Sequence, residues 1–294
     1  MSAPRIPVLA VVGVGLIGGS FAAALRRVGQ VERVLGVGRD PKSLERAREL
    51  GLIDEAVSAT EAAQRADLVM LATPVGNLGD LLARMRAHLK PGIVLTDVGS
   101  TKAEVAQAAR QALGERIGCF VPGHPIAGAE RTGPGAADAD LYRDRNVVLC
   151  PLPENTPQAL EQVRLAWQDC GARLLEMGAE LHDRILASVS HIPHFFAAVY
   201  MAQVAGEPDA ARRLSLAGSG FRDFTRIAGG SPEMWRDIFL SNRSAMQAEL
   251  AAVRAVLDKA EQALAAGDGA ALLDLLQRAS NTRRDWRLGS TESS

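Results

Sequence analysis

The sequence is poor in aromatic side chains and cysteines, and it carries almost no net charge. Aromatic residues make up 4% of the 294 positions, and 33 basic residues balance 34 acidic ones, for a formal net charge of −1. This balance provides no basic field for nucleic acid or anionic lipid, so we expect neither as a partner. Cys119, Cys150 and Cys170 are odd in number and widely spaced. We expect buried thiols in a reducing cytoplasm, rather than a disulfide framework or a metal cluster.

One long uncharged run lies near the N-terminus, but its composition argues against a membrane span. Residues Ile6–Leu25 form twenty positions without a charge, which is the length of a transmembrane helix. Four glycines interrupt the run, and its first part has the β-branched character of a buried strand. The basic start and cleavage site of a signal peptide are not convincing here. The run therefore predicts a strand, a turn and a helix outside any membrane.

Short apolar runs alternate with helical patterns in the first part of the chain. The apolar runs are Val8–Val12, Arg33–Val37, Ala66–Pro74 and Gly92–Ser100, with later ones around GCFVPGHP, NVVLCPLP and ARLLEM. Helical patterns separate them at Ser20–Val28, in DPKSLERARELG and around Leu78–Leu89. This alternation predicts an α/β fold with a doubly wound, Rossmann-type parallel sheet that is complete near Met177.

The second part of the chain has a helical pattern throughout. Apolar residues recur at heptad-like spacing, at Met246, Leu250, Val253, Leu257 and Leu264. They predict a long helix that packs against other helices or a partner subunit, and AGDG should end it before a last, short helix. We therefore divide the chain into a dinucleotide-binding domain, 1–177, and an all-helical substrate and dimerisation domain, 178–294, whose tail GSTESS should be disordered.

The first predicted strand is followed by three glycines in the spacing of a dinucleotide-binding turn, G-x-G-x-x-G. The first glycine permits a tight turn, the second lets the backbone approach a pyrophosphate, and the third lets helix and strand pack closely. The strand before the motif and the helix after it strengthen the prediction of a cofactor site. We assign to this site Gly13, Gly15, Leu16, Ile17 and Gly18, with Thr73 and Pro74 at the end of a neighbouring apolar run.

The end of the second predicted strand suggests which dinucleotide binds. An acidic residue at this place normally holds the ribose hydroxyls of NAD, but the chain has Gly38 and Arg39 there. A glycine removes the repulsion of a 2′-phosphate, and a guanidinium is a suitable donor to it. These residues favour NADP over NAD. The alternative is that Arg39 is a solvated surface charge and Asp40 holds the ribose, but Asp40 precedes Pro41 and is better placed as a helix N-cap.

Further polar residues are candidates for the chemistry. His124 lies in a rigid Gly-His-Pro turn after a predicted strand, where it is a candidate acid or base. His191 and His194 share one helical face around Pro193, and without a third ligand of matching spacing they do not predict a metal site. Arg226 has apolar neighbours and is a candidate anion-binding residue, while Arg222 is read more simply as part of a solvated helix start.

Five stretches resemble the prephenate and arogenate dehydrogenases of tyrosine biosynthesis. GVGLIGGS, TDVGSTK, GHPIAGAE, SHIPH and GFRDFTRIA…SPEMWRDIF occur in the order found in that family, between about Val8 and Leu257. The resemblance implies a nucleotide domain followed by a helical domain that forms a homodimer. It also implies roles for individual residues: His124 at the ring hydroxyl of the substrate with Ser100 in support, His191 and His194 in the pocket, Arg226 on a carboxylate, Glu130 and Asp223 near the pocket mouth, and Trp235 near the partner subunit.

The activity implied by this resemblance is the oxidative decarboxylation of prephenate to 4-hydroxyphenylpyruvate, with NADP or NAD as the hydride acceptor. Arogenate is the alternative substrate, and a non-catalytic dinucleotide-sensing protein is the alternative of a different class. β-Hydroxyacid dehydrogenases and imine reductases share the domain arrangement, but we do not expect them to carry both GHPIAG and SHIPH. The chain departs from many relatives at Ala129, where a hydroxyl residue is common, and at Gly38-Arg39, where an acid is common.

Overall fold

The computed structural model describes residues 4–128 and 131–286. It divides the chain into two compact units, residues 1–242 and residues 243–294. The division that we predict at residues 177 and 178 stays a prediction. The predicted disordered tail, Gly289–Ser294, lies outside the described residues.

A six-stranded parallel sheet with flanking helices forms the first part of unit 1, which confirms the predicted fold class. Its strand order is β3-β2-β1-β4-β5-β6, the order of a dinucleotide-binding fold. The strands are β1 (Ile6–Val12), β2 (Val31–Val37), β3 (Glu55–Ala56), β4 (Leu68–Leu71), β5 (Val94–Asp97) and β6 (Phe120–Val121). The connecting helices are α1 (Leu16–Arg27), α2 (Pro41–Glu49), α3 (Ala59–Arg65), α4 (Leu78–Arg86) and α5 (Ala103–Leu113).

The uncharged N-terminal run forms β1 and α1, as predicted, although α1 begins four residues before the predicted Ser20. Helices cover both faces of the sheet, which explains why β1 is apolar at consecutive positions. Leu9 and Val11 pack into the core on one face, whereas Ala10 and Val12 pack into the core on the other. A parallel strand that is buried on both faces has no solvent side to mark with polar residues.

Three further strands form a second sheet, which corrects our prediction of a single sheet ending near Met177. This sheet has the order β7-β8-β9, with β7 (Gly123–Pro125) antiparallel to β8 (Asn146–Leu149) and β9 (Arg173–Glu176) parallel to β8; α6 (Pro157–Asp169) lies between β8 and β9. Pro122 lies between β6 and β7 and has no N–H to extend the short β5–β6 ladder. The chain therefore enters a new sheet just before His124.

Helices complete unit 1. They are α7 (Ala179–Leu186), α8 (Ile192–Ala205), α9 (Ala210–Ser215), α10 (Ser219–Thr225) and α11 (Pro232–Ser241). A π-helical turn, Ala187–His191, joins α7 to α8 just before Pro193, which has no N–H to donate to a regular helix. The continuous helical stretch Ala179–Ala205 is long and apolar enough to cross a membrane by length and composition alone, a test that core helices also pass.

Unit 2 consists of the long helix α12 (Arg243–Ala266) and the helix α13 (Gly269–Asp285). The break between them falls at the predicted AGDG segment, but α13 has 17 residues and is longer than we expected. Several apolar side chains of these helices are largely exposed in the single chain, among them Leu257 at 59% and Leu264 at 71%. Exposed leucines at heptad-like spacing are typical of a helix that packs against a partner.

Candidate active site

The carboxyl ends of three central strands lie side by side. Val12 of β1 is paired with Val37 of β2 and with Leu71 of β4. The Gly13 N–H donates to the Val37 carbonyl (2.8 Å), and the Ala72 N–H donates to the Val12 carbonyl (2.7 Å). The glycine turn, the Gly38-Arg39 segment and the Thr73-Pro74 segment therefore start from the same edge of the sheet, where open α/β sheets bind ligands.

Each of the three glycines of the turn has a different structural role. Gly13 has a positive φ of 95°, and a Cβ atom there would lie 2.3 Å from the Ala72 carbonyl oxygen. A Cβ atom on Gly18 would lie 2.4 Å from the Gly13 carbonyl oxygen, so Gly18 lets α1 pack closely on β1. At Gly15 a Cβ atom would meet no protein atom within 4 Å, so packing within the chain does not require a glycine there. Gly15 leaves space that a ligand can use.

The turn fits the pyrophosphate of a dinucleotide. Gly15 is the N-cap of α1 and offers no side chain to its first-turn N–H groups, which can therefore donate to an anion. Leu16 and Ile17 form the first turn of α1, and the Ile17 carbonyl accepts the Tyr142 hydroxyl (2.6 Å). Near the same edge, Thr73 Oγ1 is buried and has no hydrogen-bond partner among the described residues. Pro74 follows it and is exposed.

The Gly38-Arg39-Asp40 segment is exposed at the end of β2. Both oxygens of the Asp40 carboxylate are engaged as the N-cap of α2, accepting the N–H groups of Lys42 and Ser43 at 3.1 Å each. The predicted capping role of Asp40 is confirmed, and Arg39 remains as the exposed cation beside the turn. A Cβ atom on Gly38 would contact the Leu44 side chain at 3.2 Å, which is close but not prohibitive.

A buried ion pair holds β7, the short strand that carries His124; we predicted a rigid turn for this Gly-His-Pro segment, but it pairs with β8 as a strand. Lys102 and Asp97 have no solvent exposure and form a salt bridge in which Nζ donates to the carboxylate. Lys102 Nζ also donates to the Gly123 carbonyl (2.7 Å), and the Gly123 N–H donates to Asp97 Oδ1 (3.1 Å). Both ends of the Gly123 residue are thus fixed to the end of β5, which positions His124 next to the cofactor edge.

The His124 ring contacts a second histidine that the sequence analysis missed. His124 Nδ1 lies 2.8 Å from His182 Nε2, and His182 Nδ1 lies 2.7 Å from Asp183 Oδ1. His182 and Asp183 are adjacent on α7 and are buried. Asp183 also accepts the N–H groups of Lys102 (2.8 Å) and Ala103 (2.9 Å), so it caps the N-terminus of α5. The result is a hydrogen-bonded chain from Asp183 through His182 to His124.

The environment of His124 keeps its ring neutral near pH 7. Burial, followed by the neighbouring His182, Lys102 and His191, holds the pKa of His124 well below its ordinary value of 6.5. A neutral imidazole has one nitrogen that can accept a proton. With Nδ1 bound to His182, the second nitrogen, Nε2, is available for a substrate.

His191, which the resemblance places in the substrate pocket, is a buried residue beside Asn242. It is 1% exposed, and burial lowers its pKa to about 4. Asn242 Nδ2 lies 3.0 Å from His191 Nδ1 and donates to the Asp183 carbonyl (2.8 Å), so Asn242 joins His191 to α7. His191 Nε2 is buried without a hydrogen-bond partner among the described residues.

His194, Trp235 and Arg226 form a second group of site residues. The rings of His194 and Trp235 are stacked, with centroids 3.7 Å apart and planes at 24°. His194 Nδ1 lies 2.9 Å from the Ser190 carbonyl, which accepts its proton and leaves Nε2 as an acceptor. Burial lowers the pKa of His194, and the nearby charge of Arg226 lowers it further. Arg226 begins a short 3₁₀ turn, Arg226–Gly229, and is exposed.

Three further sequence-predicted residues are Ser100, Glu130 and Asp223. Ser100 is half-buried in the loop between β5 and α5, but the partner of His124 Nδ1 is His182 and not Ser100. Glu130, like the neighbouring Ala129, lies outside the described residues. Asp223 is exposed on α10. Among the residues that the structure describes, no group of three His, Cys, Asp or Glu side chains could hold a metal ion.

Sequence reasoning missed His182, Asp183 and Asn242. One signal was present, because His182 is one of only five histidines and precedes an acid directly. Its importance depends on α7 packing against α5 and on the contact of His182 with His124, which sequence spacing does not show. The assembled groups can perform one kind of chemistry: a fixed, neutral imidazole accepts a proton beside a dinucleotide site, and an arginine near His194 can hold an anionic ligand.

Comparisons with known proteins show which family the chain matches. Two family profiles match the chain: "Prephenate dehydrogenase, nucleotide-binding domain" over residues 21–176, and "Prephenate dehydrogenase, dimerization domain" over residues 178–278. A cyclohexadienyl dehydrogenase of Zymomonas mobilis is 34% identical over 278 residues, which are 94% of each protein.

Two solved structures share the fold over almost the whole chain. Prephenate dehydrogenase of Aquifex aeolicus, in complex with hydroxyphenyl propionate and NAD⁺, has a TM-score of 0.90 at 32% identity, covering 97% of this chain and 99% of that one. Arogenate dehydrogenase of Synechocystis has a TM-score of 0.81 at 32% identity, covering 95% of this chain and 100% of that one.

Proposed function

Since this chain belongs to the prephenate dehydrogenase family, we propose that the site around His124 catalyses the oxidative decarboxylation of prephenate to 4-hydroxyphenylpyruvate. The chain is an NAD(P)-dependent dehydrogenase of tyrosine biosynthesis. The assignment of the site rests on the His124 ring, whose Nδ1 is held by His182, while the strand that bears it, β7, is fixed by Asp97 and Lys102. This arrangement supplies a base of fixed orientation at the cofactor edge of the sheet.

The reaction needs such a base because a hydride leaves one ring carbon while a proton leaves the hydroxyl group on the same carbon. The substrate is a cyclohexadiene with a hydroxyl group at C4 and a carboxylate on the opposite ring carbon. Loss of hydride from C4 turns the hydroxyl into a ketone, and the hydroxyl proton must leave as this happens. His124 Nε2 accepts that proton. The resulting vinylogous β-keto acid then loses carbon dioxide and becomes aromatic, so the protein mainly has to orient the substrate.

The cofactor would be held by the glycine turn. Gly15 and the first-turn N–H groups of α1 would face the pyrophosphate, with Thr73 Oγ1 and Pro74 beside it. When bound, the nicotinamide supplies the hydride acceptor. The contribution of the chain is to bind the dinucleotide and to hold His124 so that the base and the acceptor serve the same carbon.

The substrate carboxylates would be bound by the second group of residues. The charge of Arg226 lowers the pKa of His194, so the two side chains lie in one region, and a guanidinium binds a carboxylate through paired hydrogen bonds. His194 Nε2 and the stacked Trp235 would form the wall of the pocket. The loop with Glu130 would approach the pocket mouth, as the family resemblance implies. One arginine holds the substrate without binding the departing carboxylate too strongly.

Arogenate is the second candidate substrate, because the chain is also similar to the Synechocystis arogenate dehydrogenase. It carries an amino group where prephenate carries the side-chain keto group, and the ring chemistry is unchanged. Glu130 could accept a hydrogen bond from that ammonium, but an acid is also present at this position in prephenate-using members of the family. We therefore propose prephenate, or both substrates, with arogenate as the alternative.

For the cofactor we propose NADP in preference to NAD. Arg39 is exposed beside the turn, Gly38 adds no carboxylate, and the Asp40 oxygens are engaged in capping α2. A charge-assisted hydrogen bond from Arg39 to the 2′-phosphate would be worth roughly 1.5–3 kcal/mol, or about 10- to 100-fold in affinity. The structural neighbour from Aquifex aeolicus is in complex with NAD⁺, so the preference of this chain needs its own measurement.

The cofactor preference is tested by reversing it. The double variant Gly38→Asp with Arg39→Leu should bind NAD more tightly than NADP, because a carboxylate would accept the ribose hydroxyls and repel the phosphate. Gly38→Ala is the control, since it adds the Cβ contact with Leu44 without the charge. The preference of the unmodified protein should also decrease with added salt. Equal kcat/KM for the two cofactors in the unmodified protein would contradict the proposal.

We also propose that the protein is a cytoplasmic homodimer, paired through its C-terminal helices. The match to a dimerization domain over residues 178–278 and the exposed leucines of α12 support the pairing. The absence of a charge excess supports our expectation that neither nucleic acid nor a membrane is a partner.

The proposed reaction is tested by offering prephenate and arogenate, each with NAD and with NADP, and following absorbance of the reduced nicotinamide. We expect reduction with prephenate, fastest with NADP. Turnover on arogenate alone would reassign the substrate. Tight dinucleotide binding without turnover on either acid would favour the non-catalytic sensor and contradict the proposal.

A further inference from the structure

We propose that His182 and Asp183 are positioning residues that fix the tautomer of His124, so that its proton is on Nδ1 and its acceptor nitrogen, Nε2, faces the substrate. The inference rests on the proposed function, because it explains how His124 is prepared as a base. Neither His182 nor Asp183 needs to touch the substrate for this role.

The carboxylate of Asp183 determines which nitrogen of His182 carries a proton. One of its oxygens accepts the Lys102 N–H and the other accepts the Ala103 N–H, at 2.8 and 2.9 Å. An ionised carboxylate has only acceptor capacity, and the N-terminus of α5 favours its negative charge. The third contact of the carboxylate is His182 Nδ1 at 2.7 Å, so this nitrogen must be the donor. His182 is therefore protonated on Nδ1.

His182 has no solvent exposure, and the ammonium of Lys102 lies in the same buried region. A neutral imidazole carries a single proton, and in His182 the contact with Asp183 puts that proton on Nδ1. His182 Nε2 is then unprotonated, and it can only accept a hydrogen bond from His124 Nδ1 at 2.8 Å. The proton of neutral His124 is thus on Nδ1, and Nε2 carries the lone pair.

The hydrogen bonds from His124 through His182 to Asp183 also stabilise the positive charge that the reaction creates on His124. As the substrate O–H bond breaks, its proton forms a bond to His124 Nε2, and the ring becomes an imidazolium. The Nδ1–H of that ring still donates to His182, whose own Nδ1–H donates to Asp183. The positive charge is therefore stabilised, through one neutral ring, by a carboxylate. In an ordinary histidine both tautomers are populated, and only one of them could accept the proton.

The first measurement needs no variant. In the full-length protein with ¹⁵N-labelled histidine, nitrogen NMR should show His124 protonated at Nδ1 and unprotonated at Nε2; His124→Asn assigns the signals. A His124 ring protonated at Nε2 would overturn the proposal. The readout does not depend on turnover, so it remains decisive if neither prephenate nor arogenate is oxidised.

Two substitutions at His182 test the consequence for catalysis. Gln at this position keeps a carbonyl acceptor for His124 Nδ1–H, whereas Leu removes it at similar size. We expect His182→Leu to lose roughly 10²- to 10⁴-fold in kcat, as for a base that is lost or in the wrong tautomer, with KM and the cofactor Kd nearly unchanged. His182→Gln should recover at least about tenfold of that loss and should restore the Nδ1-protonated signal of His124.

Asp183→Asn provides the complementary test, because its amide can donate to His182 Nδ1 and reverse the tautomers of both rings. Here we expect a similar loss of kcat together with an Nε2-protonated His124. If the His182→Leu variant kept an activity within twofold of the wild type and an unchanged His124 spectrum, the inference would be overturned. The proposed function would remain intact. If His182→Leu fails to fold, the spectra of the wild type and of His182→Gln decide.

Discussion

At the scale of single residues, the protonation state of His124 decides whether the site can act as proposed. His124→Asn should keep the cofactor affinity and lose roughly 10²- to 10⁴-fold in kcat, because the proton acceptor is removed. His88→Asn is the matched control, since His88 is an exposed histidine that contacts Gln64. Steady-state kinetics and cofactor titration check both variants. Near-normal turnover of His124→Asn would eliminate His124 as the base.

The pH dependence follows from the same residue. The pKa of His124 is held well below 6.5, so the base is unprotonated at neutral pH. It becomes protonated only when the pH falls below this lowered pKa. We expect kcat/KM to stay level as the pH is lowered through 6.5 and to decrease only at more acidic pH. A decrease centred at 6.5 or above would indicate a solvated histidine instead.

Arg226 is also a single-residue test, but its replacement should weaken substrate binding and not proton transfer. Its replacement by Ala should raise KM for the substrate by roughly 10- to 100-fold, because a carboxylate loses a charged partner worth about 1.5–3 kcal/mol. Arg222→Ala is the control, since Arg222 is also exposed and lies one helical turn earlier, on α10. If the melting temperature alone changed and the kinetic constants held, Arg226 would have a structural role.

At the scale of elements, the strand–turn–helix unit separates packing from ligand binding within one motif. Gly18→Ala puts a Cβ atom 2.4 Å from the Gly13 carbonyl oxygen, so we expect a loss of roughly 1–3 kcal/mol in the free energy of unfolding. Gly15→Ala meets no protein atom within 4 Å, so the stability should change by less than about 0.5 kcal/mol while the cofactor Kd rises.

Thermal unfolding and cofactor titration, performed on both variants, check this pair. The two glycines are neighbours in one turn, so each variant serves as the control of the other. Unchanged cofactor affinity in Gly15→Ala would show that the pyrophosphate does not approach this backbone. The expectation for Gly18 fails if Gly18→Ala unfolds at the wild-type temperature.

At the scale of the whole molecule, the exposed leucines of unit 2 indicate a second copy of the chain. Leu257→Glu should weaken the dimer, because it places a charge on an apolar surface that pairing would bury. Gln262→Glu, which introduces the same charge at another exposed position of α12, should leave it intact. Sedimentation velocity measures both. A stable, active monomer of the unmodified protein at working concentration would refute the proposed homodimer.

The sequence by itself determined the elements whose signals are local. The alternation of apolar runs and helical patterns predicts the Rossmann-type sheet, and G-x-G-x-x-G identifies its cofactor turn. Asp40 before Pro41 predicts the N-cap of α2, and AGDG predicts the end of α12, since caps and breaks depend on a few neighbouring residues. Element boundaries were predicted less accurately. Helix α1 begins at Leu16, directly after Gly15 of the glycine turn, and not at the predicted Ser20.

Only the tertiary structure decided what lies around His124. The sequence places His124 in a turn, but 58 positions separate it from His182, and no periodicity connects β7 with α7. Nor does spacing show that Lys102 and Asp97 are buried together or that Asp183 caps α5. The second sheet escaped prediction because an apolar run records that a strand is buried and not which strand it pairs with. Contacts between distant segments arise from packing, and packing fixed the orientation of the base.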